Sequence, residues 1–255
     1  MHQKLKSIVP GLCVLLLFTV KMDAQTFPEM IAVDSGNFWM GTPAGTGNAD
    51  EHPQHEVFVG AFKIAKTETT VLQWRTFCNA TGRQMPVLPN WGTADNFPVV
   101  NITWFDAVAY TEWLTESTGI KYRLPTEAEW EFAARGGDST RCSKYSGAEI
   151  AEPVAWFDSH GKTAHPVAQK KPNELGLYDM SGNLWEWCMD WYAPYGAKPQ
   201  YHNPTGPLYG SARVLRGGSW GRTAADCTVT YRGRYSPDFR DERNGFRVVS
   251  VVGDK

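Results

Sequence analysis

The stretch from Asn173 to Tyr192 reads NELGLYDMSGNLWEWCMDWY. Gly182 stands between Ser181 and Asn183, residue types that make tight turns because glycine takes left-handed dihedrals freely and short polar side chains bond their own backbone. Trp185 and Trp187 follow, and aromatic enrichment of this kind suits a strand. The segment is therefore a tight turn entering a Trp-rich strand. Its eight residues from Asp179 to Glu186 are also the most metal-like pattern of the chain. Calcium takes roughly six to eight oxygens, and a glycine-centred turn can aim successive carbonyls inward while carboxylates at both ends supply charge.

Working outward, 11 Trp, 24 Gly and 16 Pro among 255 residues describe large aromatic plates packed between many turns, not a helical bundle. A loop-rich α+β fold follows. Three helices carry start signals. Thr70-Val71-Leu72-Gln73 is a capping box leading into Trp74, Phe77 and Cys78, with Gly82 as the stop. Thr103 opens a second helix through Trp104, Ala107, Val108 and Leu114, ended by Gly119. Thr126, after Pro125, opens a third with Trp130, Ala133 and Ala134 facing inward and Gly136-Gly137 at its end. Strands are expected from Glu56 to Ile64 and from Arg213 to Gly217.

At the N-terminus, Lys4 and Lys6 precede an apolar run from Ile8 to Val20, and Ala24 offers a small residue for cleavage. Residues 1–24 are thus expected to be a secretory signal peptide, leaving residues 25–255 as one domain in the periplasm or outside the cell. The run is too short to span a bilayer comfortably, so no stable membrane anchor is expected. Its removal makes the chain more acidic than the formal net charge of -2. Nothing basic enough for nucleic acid remains. His52 and His55 flank Pro53 and have no third ligand nearby, so they read as a surface loop; His160 and His165 read as loop histidines too.

The stretch from Arg213 to Arg247 places Cys227 after a Gly217-Gly218-Ser219-Trp220 turn and before a run of arginines and tyrosines. A nucleophilic or metal-binding thiol needs a lowered pKa, which the positive field of Arg222, Arg232 and Arg234 can supply. The alternative is half of a structural disulfide.

MIAVDSGNFWMGT (Met30 to Thr42), RLPTEAEWEFAARGG (Arg123 to Gly137), the Asn173–Tyr192 stretch, RVLRGGSW (Arg213 to Trp220) and NGFRVV (Asn244 to Val249) occur in this order. Together they resemble the sulfatase-modifying-factor, or formylglycine-generating-enzyme, family. The resemblance implies a C-type-lectin-like fold and a calcium site at Asp179, Gly182, Leu184 and Glu186, where the first family position more often reads Asn. A second family calcium site needs an Asn-rich acidic loop after Ala155-Trp156; only Asp158 is offered, and no second ion is expected. It also implies a reaction pocket at Cys227, Ser219, Arg222 and Trp185. Formylglycine-generating enzymes hold copper(I) between two cysteines five residues apart; the second position is Cys227 and the first is Arg222. A guanidinium has no lone pair to donate and keeps its proton, so copper binding is not expected. Arg243 stands where the family has Asn. The fold implied by the resemblance brings Cys188 near the Gly217 segment, and in an exported chain a Cys188–Cys227 disulfide is expected, with Cys78 and Cys142 left open.

Three readings remain. The chain is an oxygen-dependent oxidase of a protein or peptide side chain, which needs Cys227 as a free thiolate with a second soft ligand. Or it is a non-catalytic, calcium-stabilised binding module whose Arg222 recognises an anionic group or peptide through forked hydrogen bonds. Or it is an accessory piece of a surface assembly. A monomer is expected.

Overall fold

The computed structural model describes residues 26–137, 143–196 and 201–251. The expected leader, with Cys13, and Cys142 lie outside these residues. Each start signal produces its helix. Helix α1 runs Val71–Thr81, α2 Trp104–Thr118 and α3 Glu127–Ala134. The hydroxyls of Thr70, Thr103 and Thr126 accept from the backbone N–H three residues on, and the side chains of Gln73, Asp106 and Glu129 reach back to the cap N–H. Gly82 and Gly119 close α1 and α2 in the left-handed conformation. Among the described residues no helix is long and apolar enough to cross a membrane.

The strands are short. Strands β1 (Met30–Val33), β4 (Phe62–Ala65), β10 (Val249–Val251) and β5 (Tyr122–Arg123) form one antiparallel sheet in that order. Ile64 lies opposite both Ile31 and Val249, so the two ends of the described chain flank β4. Strands β2 (Gly36–Met40) and β3 (His55–Val59) pair as a second sheet. The third sheet carries the site. Its order is β8 (Arg232–Tyr235), β7 (Arg213–Arg216), β6 (Trp185–Trp191) and β9 (Asn244–Gly245), antiparallel except for the β6–β9 pair.

The Glu56 to Ile64 run is strand, as expected, but in two pieces: it breaks at Gly60-Ala61, and its halves enter different sheets. The glycine leaves the chain free to turn, and the Gly60 N–H bonds the side chain of Asn203 instead of a ladder partner. His55 is not a loop residue: it opens β3, is buried, and meets Tyr195 edge-on with ring centroids 4.8 Å apart.

The core divides around α3 and around α1–α2. Phe38, Val57, Ile64, Trp130 and Phe132 pack together, and Trp74, Phe77, Tyr110, Trp187 and Phe246 form the second group. Between them run buried ion pairs. Glu127 takes Arg232 at 2.6 and 2.8 Å, Glu131 takes Arg135 and Arg216, and Glu186 takes Arg247 at two contacts of 2.7 Å. Desolvating so many charges is tolerable only because each guanidinium is held by a fork or by further carbonyls, as Arg216 is by those of Val229, Thr230 and Tyr231.

Candidate functional site

Strand β7 is followed by Gly217-Gly218, both at positive φ (96° and 76°). A Cβ on Gly218 would lie 2.6 Å from Cys227 Sγ, so only glycine lets the chain pass the thiol. After Ser219 and Trp220 the backbone folds over Arg222, whose N–H bonds the Ser219 carbonyl at 2.9 Å, and enters a short 3-10 turn at Ala224–Cys227.

This path puts Cys227 Sγ against the Thr223 carbonyl at 3.5 Å and the Ser219 carbonyl at 4.0 Å, among Tyr145, Ala155 and Phe157. The side chain is fully buried. Burial, and then the carboxylate of Asp226, push its pKa up to about 12; the opposing effect of Arg222 is the smallest. The expected positive field does not prevail, because desolvation penalises a thiolate more than a guanidinium at this distance favours it. The expected disulfide is corrected as well. Cys188 lies on β6 in the core around α3, in a different cluster from Cys227, and Cys78, Cys188 and Cys227 are all free and buried.

Of the other residues expected at the pocket, Arg222 and Trp185 lie near each other. The guanidinium of Arg222 lies 6.0 Å from the centroid of the Trp185 ring, and its Nε is buried without a partner. Ser219 is fully buried and its Oγ has no partner either. Asn244, opposite Trp185 in the β6–β9 ladder, is buried with both amide atoms unpartnered. Unpaired polar groups of this kind each cost about 1–3 kcal/mol, and that cost is recovered when a ligand or water supplies the missing bonds. Asn244 was not legible in advance, since the family departure is at Arg243 beside it. Arg243 itself is occupied: it forks onto Asp241 at 2.7 and 2.8 Å.

Trp185 stands 5.7 Å from the ring of Tyr231, and Tyr231 lines a groove of about 630 Å³. Asn48, Glu51, Gln54, Arg135, Lys144 and Asp226 are among its polar lining. The groove lies beside the Cys227 turn, with Ala225, Asp226 and Thr228 in its wall.

At the Asp179–Glu186 turn, Gly182 has φ 76°, and a Cβ there would collide with the Trp156 carbonyl. Asp179 is buried; Oδ2 accepts from the Ala168 N–H at 2.8 Å and Oδ1 has no partner. Burial pushes its pKa up to about 6. Glu186 differs, because Arg247 forks onto it and Trp130 Nε1 donates to Oε2 at 2.7 Å. A further acid arrives from far away in sequence. Glu68 is fully buried, accepts from the Leu184 N–H and the Asn183 amide at 3.2 Å each, and is pushed well above the carboxylate range by burial, Asp179 and Glu186. Nothing local marked it, as it sits two residues before the α1 cap. Three buried carboxyls thus face one guanidinium. A calcium ion fits this site in charge and in the free oxygen of Asp179. It fits less well in donor count, since Glu186 is largely committed and, among the described residues, no group of three His, Cys, Asp or Glu is placed to hold an ion.

Comparison with known proteins agrees with this architecture. The sulfatase-modifying factor enzyme 1-like domain matches residues 18–252. The formylglycine-generating enzyme of Streptomyces coelicolor is 33% identical over 286 residues, covering 86% of this chain and 88% of that enzyme. The serine/threonine-protein kinase pkn1 of Chlamydia caviae is 35% identical over 249 residues, covering 89% of this chain but only 38% of the kinase. The chain therefore spans well under half the length of that relative. Among solved structures, Treponema denticola variable protein 1 superposes with a TM-score of 0.76 at 29% identity, covering 87% of this chain and 94% of that one. With few helices, mixed short sheets and five ordered motifs, the chain belongs to the family of sulfatase-modifying factor enzyme 1-like domains, with the loop-rich α+β, C-type-lectin-like fold of that family.

Proposed function

We propose that this domain is a binding module and not a copper-dependent oxidase. One observation carries the reading: where the family places two thiolates, this chain places Arg222 and a buried, protonated Cys227. Copper(I) is soft and needs sulfur donors that can ionise, so neither position suits it. The same pocket suits an anionic group. Arg222 has an unpartnered Nε, Ser219 three residues before it has an unpartnered hydroxyl, and Asn244, opposite Trp185 in the ladder, adds an unpartnered amide. The groove beside Tyr231 gives the remainder of a peptide or small-molecule ligand somewhere to lie.

A calcium ion at Asp179, with the carbonyls of Gly182 and Leu184 and the open lone pair of Glu186, belongs to this proposal as a structural ion. Its support is the surplus of buried carboxyls and the free Oδ1 of Asp179. Export of a monomer after removal of residues 1–24 completes the reading, on the strength of the apolar run from Ile8 to Val20.

Arg222 supplies the test. Isothermal titration with inorganic phosphate and with a peptide ending in a free carboxylate is expected to show binding that falls at least about tenfold in Arg222→Ala and only partly recovers in Arg222→Lys, which lacks the fork. Equal binding by wild type and Arg222→Ala would remove the basis for the proposal.

A further inference from the structure

A second cleft, of about 260 Å³, opens at the N-terminal end of α3 and shares no lining residue with the groove beside Tyr231. Met40, His55, Asp190, Trp191, Tyr195 and Pro207 line it. Asp190 comes from β6, is 4% exposed, and accepts the Glu127 N–H through Oδ2 at 2.9 Å.

Among the described residues, the neighbouring charges make their contacts elsewhere. Glu127 takes Arg232 and lies 3.7 Å from Arg216; Glu129 takes Arg123; Glu131 takes Arg135 and Arg216. Arg213 is sandwiched between Trp104 and Trp191 at 3.8 and 3.5 Å and donates to the Met189 carbonyl; its Nε is buried without a partner, and it makes no ion pair with Asp190. The Tyr195 hydroxyl donates to Glu127, His55 Nδ1 bonds the Pro53 carbonyl, and Cys188 is an uncharged thiol whose pKa burial raises. Among the described residues, no Lys or Arg pairs with Asp190. It is the carboxyl of the cleft that lacks a cation, and the walls around it are methyl, ring and proline surface.

We infer that this cleft binds a primary alkylammonium group, such as the end of a lysine side chain, with Asp190 as the counter-ion. The methylene stem lies along Met40, Trp191 and Pro207, and the ammonium head supplies the charge that Asp190 lacks. An anion is disfavoured in the same place because Arg232, the only lining guanidinium among the described residues, is forked onto Glu127 and also bonds the Asp50 carbonyl. Burial, then repulsion from Glu127, hold the Asp190 pKa at about 8, so at neutral pH the carboxyl carries a proton. The incoming ammonium keeps its own proton, and the carboxyl proton is released to solvent. This inference does not rest on the Arg222 pocket.

The probe is Nα-acetyl-lysine N-methylamide, titrated calorimetrically into the folded wild-type protein in two buffers of different ionisation heat. Close to one proton should be released per probe bound at pH 7. Affinity should climb up to about tenfold per pH unit until about pH 8 and then level off. The Nε-acetylated probe, which has lost the charge, should bind at least about tenfold more weakly. Asp190→Asn, which keeps an acceptor for the Glu127 N–H, should lose a similar factor and release no proton. If that variant does not fold, the wild-type proton count and the acetylated probe decide alone. No measurable binding, binding without proton release, or equal binding of the acetylated probe would overturn the inference.

Discussion

Cys227 and Asp190 show how burial, reinforced by a neighbouring carboxylate, sets the protonation of a residue here. A thiol with its pKa near 12 is chemically quiet, so an alkylating reagent at pH 8 should leave Cys227 unlabelled in the native protein and label it at once after denaturation. Rapid native labelling at Cys227, read by mass spectrometry, would contradict that burial. Asp190 titrates at about 8 in the folded protein against an ordinary value of 3.8. The folded state therefore holds a proton that the unfolded chain gives up, and its stability should decline as pH climbs from about 4 to about 8. Glu127, lowered by Arg232 and Arg216 despite its burial, works in the opposite sense: its contribution is present above the ordinary carboxylate pKa and is lost in acid. Denaturant melts at pH 6 and pH 9 should show a smaller pH dependence in Asp190→Asn than in wild type.

At the scale of elements, α3 and β6 hold the molecule together through side chains that sequence does not connect. Trp130 of α3 donates to Glu186 of β6, and Arg247 clamps the same carboxylate from just beyond β9. Replacing Arg247 with Met leaves Glu186 buried without its cation and should cost about 3–5 kcal/mol in chemical denaturation; a loss under 1 kcal/mol would mean that the pair is dispensable. The helices were legible because their caps are local, with Thr70, Thr103 and Thr126 and their reciprocal partners within four residues. The turn at Gly182 and the strand after it were legible for the same reason. The sheet partners were not. Gly60 divides one run between two sheets, and Glu68 reaches the Asp179 turn across more than a hundred residues. Cys188 and Cys227 sit in different clusters because β6 turns Cys188 toward α3, while the Gly218 turn carries Cys227 to the Tyr145 side. A pairing inferred from nearness of segments misses which face each thiol occupies.

Across the whole molecule, the family fold is retained, and the proposal places the change at the usual pocket, where Arg222 stands beside a buried Cys227, because function resides in a site and not in the scaffold. The scaffold closes on itself through β4, which holds strands from both ends of the described chain. A calcium ion at the Asp179 turn would act on this scale, because Glu68 precedes α1 and Glu186 begins β6. Calcium in excess should raise the melting temperature and a chelator should lower it, with the effect lost in Asp179→Ala; identical melts with and without calcium would remove the ion from the account. Loss of copper chemistry is the central claim, and copper(I) affinity tests it most directly. Titrated with copper(I) against a chromophoric chelator under reducing conditions, the native protein is predicted to leave the metal with the chelator and to leave a cysteine peptide unchanged in air. One-to-one uptake of copper(I), with conversion of that cysteine to an aldehyde, would contradict it.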